Sequence, residues 1–318
     1  MNPHSIEVNA LRKEYGSFVA VRDVSFTVEK GEIFGYLGAN GAGKSTTIRM
    51  LCGLLAPTSG QATVAGHDVG RAPRDVKASI GYMSQKFSLY LDLTAQENLE
   101  FFAGAYGLQG RERAARIDQV MELAALREHR GELAGAMPAG IRQRLALASG
   151  LVHQPKIVFL DEPTAGVDPL SRRNFWSLIR GLANAGTTVF VTTHYMDEAE
   201  YCARVGLMVD GDLRALDTPA GLKAQYVPGA MFAMEGSALH QGIDAIRDLG
   251  GVIDVASFGA GLHVRVAEDR DTDDFQLELR RALRAAGAHP QRLERIAPTL
   301  EDVFLSVVAP ATTVAKAG

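Results

Sequence analysis

Gly38-Ala39-Asn40-Gly41-Ala42-Gly43-Lys44-Ser45-Thr46 is the stretch that decides the fold of this chain. It fits the pattern G-x-x-x-x-G-K-[ST] at every defined position, with a strand-like apolar run at 33–37 before it and a helix-like segment at 47–51 after it. At such a junction, glycines let backbone N–H groups surround phosphate oxygens, and the helix N-terminus adds partial positive charge. We therefore predict a phosphate-binding loop whose contacts come from Gly38, Asn40, Gly41, Ala42, Gly43, Lys44, Ser45 and Thr46.

Lys44 and Ser45 are the residues of this loop with the most specific chemistry. The Lys44 ammonium group is expected to reach the β- and γ-phosphates of a nucleotide, and the Ser45 hydroxyl to ligate Mg²⁺. The alternative is a glycine-rich turn that only caps a helix. The intact Gly-Lys-Ser sequence between a strand and a helix favours nucleotide binding.

Length, charge and cysteine content limit the possible classes of function. A chain of 318 residues allows about two domains, and a net charge of −4 argues against a partner that is a nucleic acid. Cys52 and Cys202 lack metal-like spacing and are interpreted as structural thiols in a reducing compartment. The N-terminus shows no signal-peptide pattern and no apolar run reaches about 18 residues, so we expect any membrane attachment to come through a partner.

Strand-like and helix-like segments alternate up to about residue 220. The apolar run at 157–160 predicts a buried strand, Thr94-Ala95-Gln96-Glu97 predicts a helix N-terminus, and Asp210-Gly211 predicts a two-residue hairpin. This order predicts an α/β fold: a P-loop NTPase core with a mostly parallel sheet, an antiparallel edge and a helical insertion. We assign residues 1–225 to this ATP-binding domain, with the helical subdomain at about 86–155.

The sequence changes character after residue 229. Its apolar patterns follow the order β-α-β-β-α-β, which is typical of a ferredoxin-like module. Thr299 and Asp302 have the spacing of a cap for a short terminal helix. We therefore predict a small C-terminal α+β accessory domain at 229–308, followed by a tail at 309–318 that lacks periodicity.

A pair of carboxylates, Asp161-Glu162, directly follows the apolar run that ends at residue 160. A carboxylate at the tip of a buried strand can hold Mg²⁺ beside a phosphate loop, and an adjacent glutamate can polarise the attacking water. In isolation the pair could also be two surface acids after a strand. Together with the loop at 38–46, it predicts Asp161 as a metal ligand and Glu162 as a catalytic base.

The motifs of this chain occur in an order that resembles the ATP-binding subunits of ABC transporters. The resemblance covers residues ~5–220, and the ordered set is far more specific than any one motif. In chain order the motifs are Tyr15, residues 38–46, Gln85, Gly140-x-x-Gln143-Arg144, Asp161-Glu162-Pro163-Thr164, Gly166-Val167-Asp168 and His194. The resemblance implies an ATPase that works with ATP and Mg²⁺.

The resemblance also implies a role for individual residues. Tyr15 would stack on adenine, and Gln85 would coordinate Mg²⁺ and relay the nucleotide state to a membrane partner. Glu162 would be the catalytic base, His194 would hydrogen-bond the γ-phosphate, and Asp168 would lie at a dimer interface. Without the resemblance, Tyr15 would be an ordinary strand-end tyrosine and His194 a satisfied polar group.

One segment departs from the family. Met137-Pro138-Ala139-Gly140-Ile141, here called the signature segment, stands where the family usually has Leu-Ser-Gly-Gly-Gln. In the family this segment closes over ATP held by the partner subunit, so Pro138, Ala139 and Gly140 are expected to contact that nucleotide. Pro138 has neither hydroxyl nor N–H, and a lost hydrogen bond to a charged group is worth about 1.5–3 kcal/mol. We expect hydrolysis slower by roughly one to two decades; the alternative is a regulatory or binding module with little turnover.

The C-terminal segment Leu300-Glu301-Asp302-Val303-Phe304-Leu305 resembles the end of drug-exporter-type ATPases with a C-terminal extension. A branch of such ATPases also has proline at the position of Pro138. The resemblance implies a subunit that powers export of a small or lipophilic compound through a separate integral membrane permease of the ABC-2 type. A second ATP-binding subunit, identical or different, would complete the assembly at the cytoplasmic face of the membrane.

The sequence leaves two further functions open. Import is one alternative, and a soluble ABC ATPase of translation or DNA repair is another, although such proteins usually carry two ATPase halves or a long coiled coil.

The apolar, loop-like residues after Gln85 are expected to form the groove for the permease's cytoplasmic helices. They are Phe87, Leu89, Tyr90 and Leu91.

Overall fold

The computed structural model of the protein describes residues 4–85, 89–270 and 273–308. The chain forms two compact units, Met1–Pro219 and Ala220–Gly318. In chain order, the elements of the first unit are β1 (His4–Tyr15), β2 (Phe18–Glu29), β3 (Ile33–Gly38), α1 (Lys44–Leu51), β4 (Ser59–Val64), β5 (His67–Asp68), α2 (Pro73–Ser79), β6 (Ile80–Met83), α3 (Ala95–Ala105), α4 (Gly110–Leu123), α5 (Ala139–Leu151), β7 (Ile157–Asp161), α6 (Pro169–Asn184), β8 (Thr188–Thr193), α7 (Met196–Ala199), β9 (Arg204–Val209) and β10 (Asp212–Asp217).

The first unit is built on a six-stranded sheet with the order β10-β9-β3-β8-β7-β6. Its pairs are parallel except for the β9–β10 pair at one edge. Every residue of β3, β7 and β8 is buried, so these strands are near-continuous apolar runs rather than alternating ones. The predicted α/β core with a mostly parallel sheet and an antiparallel edge is confirmed.

The antiparallel edge is the hairpin between β9 and β10. Asp210 and Gly211 have φ of 51° and 87°, and a type I′ turn requires this left-handed region at both central residues. The hairpin predicted from Asp210-Gly211 is therefore confirmed.

A separate antiparallel sheet, with the order β2-β1-β4-β5, packs against the central sheet. Phe26 of β2 stacks on Phe34 of β3 with ring centroids 5.3 Å apart, and lies 6.1 Å from Phe190 of β8. The shared aromatic core fixes β3, the strand that leads into the phosphate loop. The sequence predicts these strands but not their separation into a second sheet, because alternation does not specify a strand's partner.

Helices α3, α4 and α5 form the helical insertion. Thr94 caps α3 with a complete capping box: its Oγ1 accepts from the Glu97 N–H at 3.2 Å, and Glu97 Oε2 accepts from the Thr94 N–H at 2.8 Å. The predicted start of this helix is thus confirmed. Pro138 is the N-cap of α5, directly before the first helical residue, Ala139. No helix within the described residues is both long and apolar enough to span a bilayer.

The second unit is an antiparallel sheet with the order β12-β13-β11-β14. Its elements, together with the helix that begins at the boundary, are α8 (Pro219–Tyr226), β11 (Ala230–Ser237), α9 (Ile243–Arg247), β12 (Val252–Phe258), β13 (Gly261–Val266), α10 (Asp273–Ala285), β14 (His289–Ile296) and α11 (Leu300–Val308). This chain order and sheet order are those of the predicted ferredoxin-like module.

The first helix of this module is shorter than the sequence predicts. The apolar spacing at 239–249 predicts one helix, whereas the structure has a 3₁₀ turn at Leu239–Gly242 and then α9. Gly242 lies where the two meet, and a Cβ there would come within 2.5 Å of Leu283. Glycine at this position allows close packing on α10, and glycine weakens a continuous helix.

Candidate functional site

The phosphate loop joins β3 to α1, and its backbone requires glycine. Gly41 and Gly43 have φ of 85° and 103°, a region that other residues rarely adopt. A Cβ on Gly43 would lie 2.5 Å from the Ala20 carbonyl oxygen. Because α1 begins at Lys44, its first N–H groups have no acceptor within the helix and are available to an anion.

Lys44 is a buried cation at the base of this loop. Its side chain is only 3% exposed, and Nζ donates to the carbonyl oxygens of Gly38 at 2.8 Å and Ala39 at 3.2 Å. Nζ also lies 3.3 Å from Glu162 Oε1. The ammonium group is thus held beside the loop and beside a carboxylate from a different strand.

Ser45 and Asp161 meet although 116 residues separate them. Ser45 Oγ donates to Asp161 Oδ1 at 3.0 Å, and Thr192 Oγ1 donates to the same oxygen at 2.8 Å. A hydroxyl and a carboxylate form an oxygen donor set that suits Mg²⁺. Within the described ranges, no group of three His, Cys, Asp or Glu side chains could hold a metal ion alone. A cation at Ser45 and Asp161 would therefore also need water or phosphate ligands.

Glu162 lies at the centre of the site. Its φ of 49° is uncommon for a non-glycine residue, and its N–H donates to the Thr192 carbonyl oxygen at 3.1 Å. Its buried carboxylate meets three side chains: Lys44 as above, Gln85 Nε2, which donates to Oε2 at 3.2 Å, and His194 Nδ1, which lies 3.3 Å from Oε2. Several contacts of this kind can offset the free-energy cost of an uncommon backbone conformation such as that of Glu162.

His194 directly follows β8 and is accessible. Its side chain is 34% exposed, and its contact with Glu162 has an ion-pair distance but not the alignment of a hydrogen bond. The His194 ring also packs on the Tyr195 ring, with centroids 4.2 Å apart. The ring is therefore held at the mouth of the site, beside the Glu162 carboxylate.

An open cleft of about 400 Å³ lies over the phosphate loop. Tyr15 and Phe18 form its aromatic wall, and Tyr15 is 51% exposed, so its face is available to a planar base. Phe18 was not among the predicted site residues, although it follows Tyr15 in the same turn. The other residues lining the cleft are Ala20, Asn40, Gly41, Gly43, Lys44, Ser45, Thr46, Gln85 and Glu162.

Not every predicted site residue lines this cleft. Ala42 is buried, and its carbonyl oxygen accepts from the Gly211 N–H at 3.2 Å. Among the described residues lining the cleft, neither 138–140 nor Asp168 occurs. Asp168 instead caps α6, and hydrogen bonds led by the one from Ser171 lower the pKa of its carboxyl. The signature segment and Asp168 are thus not brought to the cleft of their own chain.

Cys52 and Cys202 are buried free thiols. Burial raises the pKa of Cys52, and the charge of Asp161 raises it further. Burial likewise raises the pKa of Cys202. A raised pKa disfavours the thiolate at both positions, as expected for structural thiols.

Two polar contacts that support the site could not be predicted from the sequence. Thr192 bonds to Asp161, and Gln143 Nε2 donates to the Pro163 carbonyl oxygen at 2.6 Å. Gln143 was recognised as part of a motif, but its partner was not. The position of Thr192 next to Asp161 follows from the pairing of β7 with β8. Strand pairing is a tertiary property, so no local sequence signal could have identified this contact.

Comparisons with known proteins point to one family. The pattern of the ABC transporter family matches residues 21–165. The probable multidrug ABC transporter ATP-binding protein YbhF of Escherichia coli (strain K12) is 53% identical over 220 residues, which make up 69% of this chain and 38% of YbhF. The chain thus spans well under half the length of that relative.

A second relative aligns along almost its whole length. The linearmycin resistance ATP-binding protein LnrL of Bacillus subtilis (strain 168) is 34% identical over 307 residues, 95% of this chain and 97% of LnrL. Among solved structures, the dimeric post-hydrolysis state of the ATP-binding cassette MJ0796 bound to ADP and Pi has a TM-score of 0.62 at 26% identity. That alignment covers 67% of this chain and 98% of MJ0796.

Proposed function

The chain belongs to the ABC transporter family as one of its ATP-binding proteins, and from that membership we propose that it hydrolyses ATP to power export through a separate membrane permease. The observation that carries the proposal is the convergence of Lys44, Gln85 and His194 on the carboxylate of Glu162, beside an open phosphate loop. Such a group can bind a triphosphate, orient water and accept its proton.

Each side chain has a distinct proposed role. Glu162 accepts the proton of the attacking water, which the amide of Gln85 helps to orient. Lys44 and His194 offset the negative charge that develops on the γ-phosphoryl oxygens. Tyr15 stacks on adenine at the far wall of the cleft.

Ser45, Asp161 and Gln85 are the proposed ligands of Mg²⁺. A bound Mg²⁺ ion would neutralise negative charge on the phosphates of the nucleotide. Two observations support Mg²⁺ at this position. Ser45 Oγ lies 3.0 Å from Asp161 Oδ1, and both groups offer the oxygen ligands that Mg²⁺ prefers.

A second ATP-binding subunit is proposed to complete each site. Residues 138–140 do not line the described cleft of their own chain, and the related cassette MJ0796 has a dimeric structure. We propose that the signature segment and Asp168 of one subunit face the nucleotide of the other. ATP binding would then bring the subunits together and hydrolysis would let them part, which shifts the permease between two states.

The proposed substrate is a small or lipophilic compound, and the proposed direction is export. YbhF is named a probable multidrug ABC transporter ATP-binding protein and LnrL a linearmycin resistance ATP-binding protein, which supports this direction. The permease is proposed to be of the ABC-2 type. The chain would be held at the cytoplasmic face of the membrane through that permease.

Exposed apolar side chains after Gln85 support a docking surface for the permease. Tyr90 is 43% and Leu91 56% exposed, and the Tyr90 ring packs edge-on against that of Phe101 at 4.6 Å. Leu89 is partly buried in a small pocket beside them. Phe87, also predicted to belong to this surface, lies outside the described residues.

Leu89→Glu tests the docking surface. We expect transport in vesicles that contain the permease to be lost, while ATP hydrolysis by the isolated chain stays within about twofold of wild type. Leu54→Glu, at an apolar residue that is 51% exposed outside this surface, serves as the control. Unchanged transport by the Leu89 variant would contradict the proposed docking surface.

Glu162→Gln tests hydrolysis itself. Loss of the general base should lower steady-state phosphate release at saturating Mg·ATP by about 10²-fold or more. Nucleotide binding should persist, because the loop glycines, Lys44 and Ser45 are unchanged. Equal, near-zero rates for wild type and variant would contradict the hydrolytic function.

That outcome would favour the second candidate function, a nucleotide-dependent regulatory module with little turnover. The observation behind it is Pro138 at the N-cap of α5, where it provides no hydroxyl to a nucleotide.

A further inference from the structure

Glu198 is a buried carboxylate that the proposed mechanism does not use. It lies in α7 and is 1% exposed. Thr164 Oγ1 donates to its Oε1 at 2.6 Å, and Thr193 Oγ1 donates to its Oε2 at 2.8 Å. Thr164 follows Glu162 by two residues, and Thr193 immediately precedes His194. One carboxylate therefore bridges the chain segments that carry the proposed base and the proposed γ-phosphate sensor.

Arg172 of α6 contacts both Glu198 and the neighbour of His194. Its Nε lies 3.4 Å from Glu198 Oε1, an ion-pair distance. Its guanidinium carbon lies 3.9 Å from the centroid of the Tyr195 ring, and that ring packs on His194 at 4.2 Å. The planar guanidinium can satisfy both contacts at once, which an ammonium group cannot do equally well.

Together these contacts form a closed path from Glu162 back to Glu162. It runs along the chain to Thr164, through Glu198 and Arg172 to Tyr195, and through His194 to the Glu162 carboxylate. A buried charge is strongly destabilising unless its partners are well placed, so the Glu198 carboxylate constrains the positions of all of them. Glu198 does not line the cleft in the described part of the chain, so any effect on catalysis must act through these neighbours.

We propose that Glu198 is a positioning residue, which holds His194 and Glu162 at a fixed separation during ATP hydrolysis. The inference rests on the hydrolytic function proposed above. Displacement of a catalytic group by about 1 Å can lower a rate by about 10²-fold, so loss of this bridge should be visible in turnover rather than in nucleotide binding.

Glu198→Gln in the full chain is the first test. We expect kcat for Mg·ATP to fall about tenfold while KM changes by less than about twofold. Glu32→Gln is the matched control, because Glu32 is also a buried carboxylate, paired with Arg204 at 2.7 Å and 2.8 Å. It precedes β3, at the end opposite the phosphate loop, so its kcat should remain that of wild type.

His194→Ala combined with Glu198→Gln separates positioning from a general structural role. If Glu198 acts through His194, the double variant should have the kcat of His194→Ala within about twofold. If the kcat losses of the two single variants multiply in the double variant, the proposal is overturned, because a structural defect lowers activity whether or not His194 is present.

Arg172→Gln provides a second variant in case Glu198→Gln does not fold. The Arg172 side chain is 21% exposed, so its removal disturbs the core less than a change at Glu198. We expect a loss in kcat of about threefold to tenfold that also disappears in the His194→Ala background. An unchanged kcat in this variant or in folded Glu198→Gln, with an active wild type, would overturn this inference alone. An inactive wild type would overturn the hydrolytic function and this inference with it.

Discussion

Glu162 concentrates the electrostatics of the site in one residue. Its carboxylate is nearly excluded from solvent and faces the Lys44 ammonium group at 3.3 Å. Removing one member of a buried ion pair leaves the other charge uncompensated, which is far more destabilising than losing a surface pair. The same carboxylate is polarised by Gln85 and His194. The proposed nucleotide binding and the proposed catalysis thus depend on the same few atoms.

The conformation of Gly43 leads to the first residue-scale prediction. Gly43→Ala should destabilise the first unit by about 2–4 kcal/mol, because it combines an unfavourable φ with a Cβ 2.5 Å from the Ala20 carbonyl oxygen. Thermal unfolding of the full chain measures this effect, and ATP binding should be lost as well.

Gly66→Ala is the control for that prediction. Gly66 has φ of 86° but no atom within 4 Å of the Cβ position, so only the unfavourable φ would destabilise the alanine variant. We expect the free energy of unfolding to fall by about 1 kcal/mol, while ATP binding stays intact. Equal destabilisation by the two variants would show that the contact with Ala20 has no effect.

At the scale of elements, helix starts determine much of the proposed chemistry. α1 offers its first N–H groups to a phosphate, and α6 begins with Asp168 as its cap. α5 begins with Pro138, whose carbonyl oxygen accepts from the Ile141 and Arg142 N–H groups at 3.0 Å. Pro138 and Asp168, at the starts of α5 and α6, are exposed, as contacts with a second subunit would require.

Pro138→Ser tests whether the proline at the start of α5 limits turnover. Serine is a favourable N-cap and adds a hydroxyl for the partner's γ-phosphate, worth about 1.5–3 kcal/mol. We expect kcat to rise by about tenfold or more in a phosphate-release assay. Pro138→Ala, which restores the N–H without the hydroxyl, should show little of this gain. If Pro138→Ser has the wild-type rate, the missing hydroxyl does not limit hydrolysis.

Asp302 makes the start of α11 dependent on pH. Burial opposes ionisation, but hydrogen bonds from His263 and Thr299 outweigh it and lower the pKa of Asp302 below its ordinary 3.8. Because the folded pKa is lowered, the contribution to stability is complete above the unfolded pKa and is lost as pH falls through the folded value.

Hydrogen exchange of α11 measures this contribution. Asp302→Asn should speed exchange of the α11 amides about tenfold at neutral pH relative to wild type at the same pH. The ratio should begin to fall once the pH drops below the ordinary carboxyl value of 3.8, and it should approach one below the lowered pKa of the folded state. A ratio that does not change as the pH is lowered through this range would contradict the assignment of this effect to Asp302 ionisation.

At the scale of the whole molecule, the proposed site requires two chains. The described cleft contains the phosphate loop, Gln85 and Glu162 of one chain, whereas residues 138–140 belong to another surface. Two copies related by symmetry could each supply the missing side of the other's site. ATP would then act as part of the interface.

Glu162→Gln should make this assembly stable. With Mg·ATP, we expect the variant to elute as a dimer in size-exclusion chromatography with light scattering, because slow hydrolysis preserves the nucleotide. Wild type should return to monomer as ATP is consumed. Lys44→Ala combined with Glu162→Gln should remain monomeric; a dimer without nucleotide contacts would contradict the role of ATP in the interface.

Local chemistry explains why much of this protein could be predicted from its sequence. The phosphate loop, the α3 capping box and the Asp210-Gly211 turn each depend on a few adjacent residues, so the required residue types appear together in the chain. The ferredoxin-like order could be predicted because each element has its own apolar period. The interrupted first helix of that module could not, since it depends on packing of Gly242 against Leu283.

The sequence by itself determined the fold class, the phosphate loop and the carboxylate pair at the end of β7. Only the tertiary structure decided that Ser45 meets Asp161, that Thr192 fixes both carboxylate residues, and that Glu198 bridges the ends of β7 and β8. The physical reason is strand order. Parallel pairing of β3 with β8 and of β8 with β7 brings the C-terminal ends of distant segments to one edge. No local pattern in the sequence specifies which strands become neighbours.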